Sequence, residues 1–158
     1  MTRVGLGFDL HPLRRGRPLV LGGVTLESEV GLDGHSDADV LSHAVGEALL
    51  GALALGDLGR HFPDTDPRYR GISSLMLLGE VMDLVRSRGG RLLNVDATVL
   101  AQAPRLQPHL DEMAKRLADT LGLGRDAVSV KAKNPEGLGL VGRQEGIAAM
   151  AVVGVDVA

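Results

Sequence analysis

The first ten positions alternate. Val4, Leu6, Phe8 and Leu10 fall on one face of an extended strand, and Gly5, Gly7, Asp9 and His11 on the other. Pro12 is expected to stop the pairing. The segment LVLGGVTLESEV (19–30) reads as a hairpin turning at Gly22-Gly23. From Ser36 the period changes: positions 40, 41, 44, 45, 48, 49 and 52 are apolar at helical spacing. Ser36 is the expected cap, Asp39 stands at the capping-box position, and Asp37 and Asp39 suit a positive helix start. A polar loop dense in Gly, Pro and Asp follows (56–71), then a second helix (72–90), a strand (91–102), a third helix (104–124) and strands at 127–133 and 145–157. This order predicts an α+β fold: one domain over residues 1–158, a mainly four-stranded sheet with helices on one face, and a short hairpin.

The last strand is apolar on both faces. Ile147, Ala149, Ala151, Val153 and Val155 alternate with Gly146, Ala148, Met150, Val152 and Gly154, so both faces call for cover. Helices can supply one cover. The other is either more of the same chain or a second subunit, and the pattern alone weighs these equally.

Composition narrows the chemistry. The 158 residues include no Cys, so disulfides, thiol catalysis and Cys-ligated metals are excluded, and any metal must sit on His, Asp or Glu. A net charge of −3 and three aromatics (Phe8, Phe62, Tyr69) argue against nucleic-acid binding. No signal-peptide order and no membrane-length apolar run is present, so no membrane partner is expected and a soluble, cytoplasmic protein is. Gly, at 22 residues, is about twice its usual ~7% share.

Four constellations carry possible chemistry. Asp9 and His11 share a strand face, and His43 can reach them from the helix; two imidazoles and a carboxylate suit zinc with a fourth position open. Asp39, four residues before His43, could orient that imidazole. The alternative is a strand-end histidine and a helix histidine with ordinary partners. In GLDGHSDADVLSHA (31–44), the amides after His35 and Ser36 would open the helix and attract phosphate, or form a plain capping turn. The acidic loop Asp57, Gly59, Phe62, Pro63, Asp64, Asp66 could bind hydroxyls or a cation, or simply be solvated. Gly137, Gly139 and Gly142 spell G-x-G-x-x-G, but only 16 residues follow, too few for a dinucleotide unit. Near them Glu136 could hold Mg²⁺ against phosphates, and Arg143 could clamp one.

Taken in order, FDLHPL, LGG, GHSDADVLSHA, DLGRHFPDTDPRYRG, AQAPRLQPH and PEGLGLVGRQEGIAAMAVV resemble the 2-C-methyl-D-erythritol 2,4-cyclodiphosphate synthase family over nearly the whole chain. The resemblance implies cyclisation of 4-diphosphocytidyl-2-C-methyl-D-erythritol 2-phosphate with release of CMP, in non-mevalonate isoprenoid synthesis. It implies zinc on Asp9, His11 and His43, and a second ion, Mg²⁺ or Mn²⁺, on Glu136. Phosphate contacts fall on His35 and Ser36, with His35 and Asn134 stabilising the transition state. Diol and substrate contacts map to Asp57, Leu58 and Gly59 and to Phe62, Pro63, Asp64, Thr65 and Asp66. The cytidine segment is Ala101, Gln102, Ala103, Pro104, Arg105, Leu106 and Gln107. Further substrate contacts are Lys133, Asn134, Pro135, Glu136, Leu140 and Arg143.

The resemblance also implies a homotrimer with active sites between subunits and an axial cavity that can take an isoprenoid diphosphate. Two positions depart from the family's pattern: Lys133-Asn134 stands where many members carry Thr-Thr, and Leu140 where some carry an aromatic. Competing functions are a metal-dependent phosphodiesterase, in which water attacks, and a non-catalytic trimer that binds isoprenoid diphosphates.

Overall fold

The computed structural model describes residues 1–158, and seven strands and five helices account for its regular structure. The strands are β1 (Thr2–Arg15), β2 (Leu19–Leu21), β3 (Val24–Leu26), β4 (Val30–Leu32), β5 (Gly90–Leu100), β6 (Val128–Lys133) and β7 (Gly146–Val157). The helices are α1 (Val40–Ala52), α2 (Leu58–His61), α3 (Ser74–Ser87), α4 (Leu110–Leu121) and α5 (Gly139–Gly142). The main sheet has five strands, ordered β4-β1-β7-β5-β6, and β2-β3 form the separate hairpin. All neighbours are antiparallel except β5 and β6, which α4 connects. The α+β layout stands, but the sheet gains β4, a three-residue strand too short to show a period. No helix is long and apolar enough to cross a membrane.

Pro12 does not end β1. It pairs with Gly146 and the strand runs on to Arg15, where β4 takes over as the outer neighbour. The Pro12 carbonyl accepts the Asp33 amide at 2.9 Å. Lacking an N–H, Pro12 leaves the Asp33 carbonyl without the return bond of an antiparallel pair. That vacancy is taken up by the His11 side chain, as described below.

The glycine-bearing face of β1, not the apolar one, meets α1. A Cβ on Gly5 would lie 1.8 Å from the Ala48 carbonyl oxygen, and one on Gly7 1.9 Å from that of Ala44. Backbone therefore packs directly on backbone. On β7 the set Ile147, Ala149, Ala151, Val153 and Val155 is the one buried beneath the helices. On the opposite sheet face Val4, Leu6 and Phe8 of β1 are 70, 69 and 57% exposed, with Leu10, Met150 and Val152 beside them. This chain leaves that face uncovered.

Helix α1 starts three residues later than predicted, with its cap at Asp39 and not Ser36. Ala38 takes a left-handed φ of 57°, which breaks helical geometry, and Asp39 is the cap. The fully buried Asp39 carboxylate accepts from the Ser42 amide (3.1 Å) and hydroxyl (2.7 Å), and from the Gly22 (2.9 Å) and Gly23 (2.8 Å) amides. Burial pushes its pKa up against the pull of these donors. It thus joins the hairpin turn, where both glycines have positive φ, to the helix start. Asp39→Ala leaves several buried donors unpaired and should cost about 3 kcal/mol in urea unfolding. The other helices are shorter than predicted at their ends, and the loop over 56–71 contains α2 and a 3-10 turn at Pro67–Tyr69.

Candidate active site

Asp9 and His11 project from the α1 side of β1, and His43 from the first turns of α1. Because Gly7 lets the two backbones touch, these side chains converge: their ligand atoms lie within 4.8 Å of one another. Asp9 Oδ2 is 2.9 Å from His11 Nε2 and 3.0 Å from His43 Nδ1, and the two ring nitrogens are 3.4 Å apart. His11 Nδ1 donates to the Asp33 carbonyl at 2.9 Å, the acceptor that Pro12 leaves free. With the proton on Nδ1, Nε2 turns a lone pair inward. His43 Nε2 lies 2.8 Å from Ser74 Oγ and 3.2 Å from Ser36 Oγ, so Nδ1 is the inward nitrogen.

With both rings neutral and their protons turned outward, three lone-pair donors aimed at one point repel unless a proton or a metal cation lies between them. The cluster therefore fits a divalent metal with an N₂O donor set of zinc type. Burial pushes the Asp9 carboxyl up, but bonding to His11 and His43 outweighs it and holds the pKa well below the usual range. The Asp9 hydrogen bond raises the pKa of His11, opposed by burial. A carboxylate held ionised is the form a metal requires.

A cleft of about 280 Å³ opens over the cluster. It is lined by nine predicted site residues, namely Asp9, His11, His35, Ser36, His43, Leu58, Gly59, Phe62 and Asp64. His35 Nε2 donates to the Asp66 carbonyl at 2.8 Å, and the Gly71 amide donates to the His35 carbonyl, which ties the polar loop to the cleft. Asp57 caps α2 by accepting from Arg60, and Asp66 accepts from Arg68; neither lines the cleft, nor do Pro63 and Thr65. The Arg68 guanidinium holds the Asp66 carboxyl below its usual pKa.

Two expectations fail here. Asp39 does not orient His43; its oxygens are taken by Ser42 and the glycine amides. Of the amides after His35 and Ser36, those of residues 37–39 are already taken and form no open phosphate cradle. Asp37 N bonds the Ile72 carbonyl, Ala38 N the Ser36 hydroxyl and Asp39 N the Asp37 carboxylate.

Sequence reasoning missed Glu47 and Tyr69 in the cleft, and Ser74 behind His43. Glu47 was findable, being four residues after His43 on the same helix face. It accepts the Leu58 amide at 3.2 Å, and burial raises its pKa. Tyr69 packs edge-on against Phe62, ring centres 5.3 Å apart.

A second cavity is built from Ala101, Gln102, Pro104, Arg105, Leu106 and Gln107 of the predicted cytidine segment together with Lys133 and Asn134. Ala103 is exposed beside it. Asn134 Oδ1 accepts the Glu136 amide at 2.7 Å, which leaves its NH₂ group as donor, and Gln102 Oε1 accepts the Gly137 amide at 2.8 Å. The two cavities share no residue. Glu136 is exposed and stands outside the Asp9–His11–His43 cluster. Gly137 precedes the four-residue α5, which Gly139 and Gly142 begin and end, and β7 follows, so the three glycines build no dinucleotide unit. Arg143 pairs with Glu145 at 3.1 Å, near the exposed Leu140.

Comparison with known proteins gives the family of this fold. The YgbB family model matches residues 2–156. The chain belongs to the YgbB family. A relative from Agathobacter rectalis, named 2-C-methyl-D-erythritol 2,4-cyclodiphosphate synthase, is 55% identical over 95% of this chain and 85% of its own. The solved structure of a 2C-methyl-D-erythritol-2,4-cyclodiphosphate synthase in its CDP-bound form superposes with a TM-score of 0.90 at 42% identity, covering 98% of this chain and 100% of that one. The bifunctional IspDF of Campylobacter jejuni gives 0.96 at 40% identity over 100% of this chain, which spans 43% of that longer one. Within the YgbB family fold, the cluster and both cavities are thus features of this chain's own residues.

Proposed function

We propose that this chain, acting as a single catalytic domain, converts 4-diphosphocytidyl-2-C-methyl-D-erythritol 2-phosphate to 2-C-methyl-D-erythritol 2,4-cyclodiphosphate and CMP, as a metal-dependent lyase of isoprenoid precursor synthesis. The observation that carries this reading is the convergence of Asp9, His11 and His43 at the floor of a cleft, in a chain whose relatives bear that synthase's name. Zinc on those three residues, with Mg²⁺ or Mn²⁺ on Glu136, would supply Lewis-acid neutralisation of the diphosphate oxygens.

The chain's residues do the positioning. The substrate's own 2-phosphate oxygen attacks the β-phosphorus, the bond from that phosphorus to the bridging oxygen breaks, and CMP leaves with the electron pair. No protein nucleophile is needed; holding the two ends of the substrate together makes ring closure a matter of orientation. Leu58, Gly59, Phe62 and Asp64 wall the cleft where the diol would lie. Cytosine would be held by backbone around Ala101–Gln107, with the Asn134 NH₂ group donating to charge developing on phosphate. His35 already donates its Nε2 proton to Asp66. It can therefore donate to phosphate from Nδ1 only as the imidazolium.

A homotrimer with sites between subunits is part of this proposal. Its support is the apolar stripe Val4, Leu6, Phe8, Leu10, Met150 and Val152, which this chain leaves exposed, and the division of the site into two cavities. Arg143 and Leu140 would face the trimer axis, where an isoprenoid diphosphate could bind, and the cytoplasm is the expected compartment.

The test is product analysis with zinc-loaded protein and Mg²⁺. Cyclic diphosphate and CMP in equal amounts are expected, and pretreatment with a chelator should remove the activity until metal is restored. CMP with a linear phosphate would assign hydrolysis instead, and no CMP at all would overturn the catalytic reading.

A further inference from the structure

We propose that Ser74 and Asp37 are positioning residues for the metal site: together they fix the proton of His43 on Nε2 and turn its Nδ1 lone pair toward the ion. The inference rests on the reading of Asp9, His11 and His43 as metal ligands, and adds residues to it that lie in other segments of the chain.

The proton order follows from counting donors. The Asp37 carboxylate takes three: the Ser74 amide on Oδ2 at 3.1 Å, and the Asp39 amide (3.1 Å) and the Ser74 hydroxyl on Oδ1. A carboxylate receiving three N–H and O–H groups is acceptor only, so the single hydroxyl proton of Ser74 is committed to Asp37. Ser74 Oγ, 2.8 Å from His43 Nε2, can then only accept, and the proton on that contact belongs to the imidazole. Ser36 Oγ, 3.4 Å from Ser74 Oγ and 3.2 Å from His43 Nε2, fits the same order by donating to Ser74. The carboxylate–hydroxyl–imidazole chain is buried at its centre, with Ser74 only 1% exposed, so water does not replace it.

Local structure explains how the Asp37–Ser74 contact is held. Ser74 opens α3, whose cap residue Ser73 makes no side-chain bond to the helix. Asp37, from a distant segment, accepts the orphan Ser74 amide instead. One carboxylate thereby holds a helix start and aims a hydroxyl. Removing the hydroxyl alone leaves the amide bond in place, so Ser74→Ala isolates the positioning role.

Partners behind metal-bound histidines typically contribute 10–100-fold in affinity. Zinc affinity of the full chain should be measured by chelator competition for wild type, Ser74→Ala, Asp37→Asn and His43→Ala. In parallel, the exchange of the His43 Nε2 proton with water should be followed by ¹⁵N-imidazole spectroscopy of the zinc-loaded protein. Ser74→Ala is expected to bind zinc about 10–100-fold more weakly and to exchange that proton at least about tenfold faster, with Asp37→Asn moving both the same way. If Ser74→Ala does not fold, Asp37→Asn decides.

Wild-type affinity or wild-type exchange in the folded variant would overturn the proposal, since a purely structural serine would leave the proton's exchange unmoved. Failure of the wild type itself to bind zinc, or a His43→Ala variant binding as tightly, would overturn the metal reading instead. The two failures are distinct.

Discussion

His43→Ala is expected to lose bound zinc and to slow CMP release by about a thousandfold, while the fold survives. The rate estimate comes from the charge problem in the reaction. A phosphate oxygen must approach a diphosphate phosphorus, both anionic, and metal neutralisation of such charge is worth several kcal/mol; about 4 kcal/mol is roughly three powers of ten. His43 is the ligand to remove because it alone joins the cluster from α1, with Asp9 and His11 both on β1. Its ring lines the cleft, so its truncation widens that cleft and leaves the apolar core intact. The remaining Asp9–His11 pair offers two donors, too few for a closed zinc site. Metal analysis, circular dichroism and a CMP assay on the same preparation check all three parts. Undiminished zinc in the variant would refute the ligand assignment.

The elements of this cluster were legible in the sequence because each depends on a local period. Alternation over residues 2–11 places Asp9 and His11 on one face, and helical spacing places His43 on another element. The doubly apolar last strand was readable for the same reason, whereas its pairing with β1 was not, because strand order depends on contacts across the whole chain. What escaped reading depends on contacts between distant segments. Nothing near Ser74 in the sequence marks it as a partner of His43, 31 residues away, or of Asp37, 37 residues away. Nor does local sequence show Asp39 capping α1 and a hairpin turn together. The misplaced helix start has a related cause. Ser36 and Asp39 are both good caps by type, and the left-handed φ at Ala38 decides for Asp39. Pro12 misled in the opposite sense: as a strand breaker it should end β1, yet its missing donor is what leaves the Asp33 carbonyl for His11.

Gly7→Ala should be among the most damaging single methyls in the chain, and it should act on the site as well as on stability. An added Cβ would stand 1.9 Å from the Ala44 carbonyl oxygen and 2.6 Å from the Ala48 amide nitrogen. These are backbone atoms of α1, so no side chain can swing aside and the whole helix must back away from β1. Overpacking of this kind costs about 3 kcal/mol, and more where backbone has to move. The same displacement reaches the metal cluster, because Asp9 lies two residues beyond Gly7 on β1 and His43 adjoins Ala44 on α1. A ligand set whose atoms now lie within 4.8 Å of each other would be pulled apart along the axis that joins the two elements. Denaturant unfolding should therefore show the loss of stability, and chelator competition should show weaker zinc binding in whatever fraction folds. Gly79 provides the contrast: it lies inside α3 with nothing within 4 Å of a built Cβ and no positive φ. Gly79→Ala should stabilise by about 0.5–1 kcal/mol, the ordinary helix preference for alanine. If Gly7→Ala behaved like Gly79→Ala, the close approach of β1 and α1 would not be what brings the three ligands together. The excess of glycine is thus functional at this contact: Gly5 and Gly7 bring α1 against the sheet, and that approach lets one residue of the helix complete a site begun on the strand.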